Sequence, residues 1–130
     1  MTRILLIDDE EQVRLTLTAL LQAAGYEVVA AADGQEGLSL FQQQAFDLVI
    51  TDVLMPRKGG AETIADLRRL QPGLKIIAAY GGGRVAGTGS PATAQSLGAD
   101  RLLTKPFTMA ELRAVVADVL SVANKHPTGS

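Results

Sequence analysis

The stretch FDLVITDVLMP, Phe46 to Pro56, carries an apolar run into a lone carboxylate at Asp52, resumes with Val53, Leu54 and Met55, and stops at Pro56. A short apolar run without polar alternation fits a strand buried on both faces, as in a parallel sheet. An ionised side chain at the edge of such a core is costly unless a cation, a hydrogen-bond network or water compensates it. Either the rest of the chain supplies that compensation, or Asp52 is only a turn residue.

Outward from this stretch, apolar runs and helical spacings alternate along the chain. Arg3 to Ile7 reads as a first buried strand. Val13, Leu17, Leu20, Leu21 and Ala24 then follow at helical spacing, and Gly25 marks the stop. Tyr26 to Ala30 is expected as the second strand, Asp33 or Gly34 to about Gln43 as the second helix, and Leu48 to Thr51 as the third strand. Asp33, just before Gly34 and Glu36, is read as a helix cap. Gly60 to Leu70 carries Ile64, Leu67 and Leu70 on one stripe, the QPG after it ends the helix, and Lys75 to Ala79 follows as the fourth strand.

The glycine-rich YGGGRVAGTGSP, Tyr80 to Pro91, has no apolar period and reads as a loop. Its GGRVAGTGS faintly echoes a phosphate-binding loop, but it lacks the G-K-[ST] ending and follows the fourth strand. Pro91 to Leu97, with Ser90 as its cap, is expected as a short helix, and Arg101 to Thr104 as the fifth strand. Thr108 and Glu111 make a T-x-x-E capping box for the last helix, with Phe107 and Leu112 at the staple positions. That helix is expected to reach about Val122, ahead of a frayed tail in which the lone His126 has no assigned role. Five strands and five helices in alternation predict a doubly wound α/β fold around one parallel sheet.

Composition narrows the function classes. The 130 residues, 47% apolar, suit one domain with one sizeable core. Twelve basic and fourteen acidic residues leave a formal charge of -2, with no basic stripe to follow a phosphate backbone, so direct nucleic-acid binding is disfavoured. The chain has no cysteine, and its first residues, MTRILLIDDEE, turn acidic too early for a signal peptide. No apolar run approaches membrane-spanning length. A soluble, cytoplasmic domain without membrane attachment is expected.

In an open parallel sheet, ligands bind beyond the carboxyl ends of the strands. Strand one ends in Asp8 and Asp9, strand three in Asp52, strand four in Tyr80 and Gly81 to Gly83, and strand five in Thr104, Lys105 and Pro106. Each has an ordinary reading alone: Asp9 as a cap paired with Gln12, Asp52 as a turn residue, Lys105 as a solvated loop lysine. Together, three carboxylates need cations. Two at about 4 to 5 Å repel by roughly 3 to 4 kcal/mol at an effective dielectric near 20. Lys105 offsets one charge, and a divalent ion with oxygen ligands, such as Mg2+, offsets the rest.

The DD after the first strand, the TDVLMP at the third and the KPF at the fifth closely resemble the receiver domain of two-component response regulators, the CheY-like superfamily. The resemblance runs from about Arg3 to Val122 and implies a flavodoxin-like strand order 2-1-3-4-5 with five helices on two faces. It implies a receiver domain over residues 1–123 and a disordered C-terminal tail over 124–130. Asp52 would be the phosphoacceptor, Asp9 a direct Mg2+ ligand, and Asp8 an acid that works through water or shares the ion. The carbonyl of Leu54 would complete the protein ligands, Lys105 would bridge to the phosphoryl group, and the Lys105–Pro106 peptide bond would be cis. The implied donor is a sensor histidine kinase or phosphotransfer protein. Output would go to a downstream protein target, or through self-association, on the face of the Pro91–Leu97 helix, the fifth strand and the last helix.

Two switch positions depart from the family pattern. Tyr80 stands where the family has a serine or threonine whose short hydroxyl reaches the phosphoryl oxygen, and Leu102 stands where an aromatic side chain usually changes rotamer. Amides of Gly81 to Gly83 could form an anion-binding nest in place of the missing hydroxyl. Three functions follow: a phosphorylated receiver that assists its own Mg2+-dependent phosphorylation and dephosphorylation without being an enzyme; a receiver-like interaction module with atypical or absent switching; and a Mg2+-dependent phosphatase. The adjacent aspartates argue against the last, which requires D-x-D after strand one.

Overall fold

The last four residues of the first strand, Ile4 to Ile7, are all buried, and so are all five of the third, Leu48 to Asp52. A strand without an exposed face must be covered on both sides. The computed structural model describes residues 2–52, 60–81, 99–105 and 108–124; at 60, 61, 80, 81, 104, 105 and 122–124 it describes the main chain only. Its elements are β1 (Arg3–Ile7), α1 (Glu11–Ala23), β2 (Glu27–Ala31), α2 (Gly34–Gln43), β3 (Leu48–Asp52), α3 (Gly60–Leu70), β4 (Lys75–Gly81), β5 (Arg101–Lys105) and α4 (Met109–Asn124). The strands form one sheet in the order β2-β1-β3-β4-β5, with every pairing parallel. This is the doubly wound α/β fold with the expected flavodoxin-like order. The helix expected at Pro91–Leu97 lies outside the described residues, as do the loop over 82–90, the Lys105–Pro106 bond, Phe107 of the staple and residues 125–130.

The sheet divides two apolar cores. Leu5, Ile7, Val49, Ile76 and Ala78 point to one face, where they meet Phe41, Ile64 and Leu67 of α2 and α3. Ile4, Leu6, Leu48, Ile50, Ile77 and Leu103 point to the other and meet Leu17, Leu21, Leu112, Val116 and Val119 of α1 and α4. Alternate residues of one strand thus serve opposite cores, which explains the unbroken apolar runs. Each fully buried Leu or Ile contributes about 1.5 to 3 kcal/mol.

Local chemistry sets the helix ends. α1 closes on Gly25 at φ +99°, with the Gly25 N–H donating to Gln22 O (3.0 Å) and the Tyr26 N–H to Leu21 O (3.1 Å), the two bonds of a Schellman motif. Asp33 caps α2, its Oδ1 accepting the Glu36 N–H at 2.8 Å, while Glu36 Oε1 accepts the Ala32 N–H at 2.7 Å. For α4 the box is reciprocal: Thr108 Oγ1 accepts the Glu111 N–H (3.0 Å) and Glu111 Oε1 accepts the Thr108 N–H (2.8 Å). In α2, Gly37 lets the helix lie directly on β1, since a Cβ there would fall 2.4 Å from Ile7 Cδ1. Ile7 is the last residue before the acidic pair, so this close approach fixes where β1 delivers it.

Candidate functional site

Because the strands are parallel, their carboxyl ends share one edge. Ile7 pairs with Thr51, so Asp8 and Asp52, the next residue of each chain segment, stand side by side where β1 adjoins β3. The chain turns to opposite sides of the sheet at this boundary, since β2 lies beyond β1 and β4 beyond β3. Asp52 is not a turn residue: it is the last residue of β3, paired with Ala79 of β4.

Asp8 and Asp52 are each only 2% exposed, and Asp9 is half-buried beside them. One carboxylate oxygen from each of the three lies within 4.8 Å of the others. Such a group, two of its members shielded from solvent, is held together in space against a repulsion of roughly 3 to 4 kcal/mol per close pair. Asp9 adds a second sign of an awaited partner. Its Oδ1 is, among the described residues, the buried side-chain polar atom without a hydrogen-bond partner. Buried acceptors are ordinarily satisfied. Oxygen donors of this kind, few in number and anionic, fit Mg2+.

The loop after β1 is held by its main chain. The Asp8 N–H donates to Ala31 O at 3.1 Å, and Asp8 Oδ1 accepts the Glu10 N–H at 2.9 Å. Arg14 reaches back from α1, its Nη1 donating to Asp8 O at 2.8 Å. The capping role considered for Asp9 is excluded: α1 begins at Glu11, its N-cap is Glu10, and that cap makes no side-chain bond. Asp8 takes the Glu10 amide instead, leaving Asp9 to face the other acids.

The structure therefore brings together Asp8, Asp9 and Asp52. Tyr80 and Lys105 reach the same edge by main-chain pairing, Tyr80 with Thr104 and Gly81 with Lys105, since β4 and β5 run further than expected. Leu54 lies outside the described residues. Leu102 pairs with Ala78 and packs, half-buried, against the core on the α2 and α3 side. Arg14 was not singled out from the sequence. A cation early in a helix opposes the helix dipole, and that misfit was the available signal.

An acidic trio at the β1–β3 boundary of a 2-1-3-4-5 sheet defines a class, and the class is confirmed independently: the family model for the response regulator receiver domain matches residues 4–117, so the chain belongs to that family. Receiver domains are signalling modules rather than enzymes in the ordinary sense. Among sequence relatives, the probable transcriptional regulator ycf27 of Cyanophora paradoxa is 40% identical over 126 residues, covering 97% of this chain and 51% of that protein. The chain thus spans about half the length of such relatives. Among solved structures, a CheY-like receiver domain protein from Methanospirillum hungatei superposes with a TM-score of 0.89 at 28% identity, covering 97% of this chain and 98% of that one. The response regulator TrrA of Thermotoga maritima, solved in complex with Mg2+-BeF, gives 0.80 at 34% identity, covering 92% and 99%. Among the described residues no helix is long and apolar enough to cross a membrane.

Proposed function

We propose that Asp52 is the phosphoacceptor of a two-component system, taking a phosphoryl group from a phosphohistidine of a sensor histidine kinase or phosphotransfer protein. The observation that carries this is the buried trio with its orphaned Asp9 oxygen. Asp8, Asp9, Asp52 and the carbonyl of Leu54 would hold Mg2+, which when bound offsets the negative charge of the acids and of the phosphoryl oxygens. The Mg2+ recorded with the Thermotoga relative supports that assignment.

In the reaction, a carboxylate oxygen of Asp52 forms a bond to phosphorus while the phosphorus–nitrogen bond of the donor breaks, its electron pair returning to the imidazole. The burial of Asp52 beside the end of β1 positions that oxygen for attack. Lys105, at the end of β5, supplies the second positive charge. Hydrolysis of the resulting acyl phosphate in the same site resets the module. Output passes through partner contacts on the side of β5 and α4, where the sequence also leads one to expect the Pro91–Leu97 helix, in a cytoplasmic domain spanning residues 1–123. The domain itself makes no direct nucleic-acid or membrane contact; the relatives' names as transcriptional regulators describe proteins about twice as long.

Mass spectrometry after incubation with acetyl phosphate and Mg2+ tests the assignment. One added phosphoryl group is expected, absent in Asp52→Asn; an equal gain in that variant removes Asp52 from the role. A second reading, a receiver-like interaction module without the usual switch, draws on Tyr80 and Leu102. Tyr80 follows directly on Ala79, the partner of Asp52 across the β3–β4 pairing. If Tyr80 gates the site, Tyr80→Thr will change the size or lifetime of the response to acetyl phosphate; unchanged values assign Tyr80 to packing alone.

A further inference from the structure

Arg14 stands one turn into α1, where the positive pole of the helix opposes a cation. It nevertheless turns back toward the end of β1, half-buried, and donates from Nη1 to the main-chain oxygen of Asp8 at 2.8 Å. The choice of acceptor matters. The carbonyl of Asp8 and the N–H of Asp9 belong to one planar peptide unit, so a bond that holds the oxygen orients the whole unit. The direction in which Asp9 leaves that unit is set with it.

Asp8 is gripped at two further atoms, its N–H on Ala31 O and its Oδ1 by the Glu10 N–H. Those bonds fix Asp8 itself and the chain two residues on. Asp9, between them, gains no anchor through its buried Oδ1, which has no partner among the described residues. Its carboxylate is therefore placed through the main chain, and the Arg14 bond restrains the connecting peptide unit from the helix side.

We propose that Arg14 is a positioning residue for the acidic corner, holding the Asp8–Asp9 peptide so that the Asp9 carboxylate meets those of Asp8 and Asp52 at the spacing a divalent cation needs. The inference rests on the magnesium reading of the site and deepens it. Two effects of Arg14 have opposite signs. Its charge repels a bound cation, so on electrostatics alone its removal tightens binding. Its hydrogen bond preorganises the ligands, and loss of a residue that orients metal ligands weakens binding by about 10- to 100-fold.

Calorimetric titration of the full chain with MgCl2 separates them, using the unsubstituted chain, Arg14→Met and Arg14→Lys, with amide exchange followed by NMR in metal-free buffer. Arg14→Met is expected to bind Mg2+ about tenfold more weakly despite the lost positive charge. The Glu10 amide should exchange faster by about threefold or more while that of Ile77, in the sheet core, keeps its protection. Arg14→Lys, which retains the charge and one reaching donor, should recover part of the affinity. Equal or tighter Mg2+ binding by Arg14→Met overturns the inference, as does an unchanged Glu10 amide. Failure of the unsubstituted chain to take up Mg2+ overturns the magnesium reading itself, together with its consequence for Arg14; normal uptake with an indifferent Arg14→Met overturns the Arg14 inference alone.

Discussion

At the amino ends of the strands, Arg3 meets Glu27 at 3.2 Å, its N–H donates to Asp47 at 2.9 Å, and Arg68 meets Asp100 at 2.9 Å. At the carboxyl ends, Asp8, Asp9 and Asp52 bring carboxylate oxygens within 4.8 Å of one another. One edge of the sheet sets acids against donors that the chain itself supplies; the other collects acids and leaves one of their oxygens buried with no donor among the described residues. The first arrangement serves folding. The second crowds like charges together in an arrangement compatible with a divalent cation.

The largest effect at the amino edge belongs to Asp100, whose Oδ2 accepts both the Ile76 N–H at 2.7 Å and Arg68 at 2.9 Å. Asp100→Ala leaves the amide of a fully buried residue unsatisfied and should lower the unfolding free energy by about 2 kcal/mol in urea titration. Its Mg2+ affinity should stay within error of the parent chain, and a loss there would show that the two edges are coupled. Asp9→Asn probes the opposite edge with the opposite sign. In EDTA the variant should be more stable by about 1 kcal/mol, since one of three crowded charges is gone. Added Mg2+ should then raise its midpoint less than it raises that of the parent chain. Were Asp9→Asn destabilising without metal, the crowding would not be the cost described here. Smallest is Arg3→Gln, which removes a pair whose side chains are 33% and 44% exposed. Screening leaves it about 0.5 kcal/mol or less, disappearing in high salt.

Much of the fold was legible in the sequence because burial on both faces writes itself as unbroken apolar runs, and caps write themselves as short motifs such as Thr108-x-x-Glu111. Boundaries were less so. β3 extends through Asp52 and β5 through Lys105 because main-chain pairing is indifferent to side-chain polarity. β2 begins at Glu27 instead of Tyr26 because the Tyr26 amide is used to close α1. Of the site, the carboxylates could be read from strand ends alone, but the bond from the Glu10 amide to Asp8, which precedes a helix without a side-chain cap, is seen only in the geometry. Arg14 was hidden for a related reason, since its acceptor is a main-chain oxygen and carries no letter in the sequence.

The partition of the interior by the sheet gives odd and even positions of a strand separate fates. Leu5 and Ile7 share neighbours with Phe41 and Ile64, while Ile4 and Leu6 share theirs with Leu17 and Val116. Repacking schemes should therefore follow parity: volume removed at Leu6 can be restored from α1 or α4, but no enlargement in α2 or α3 reaches it, however near in sequence the two sites are.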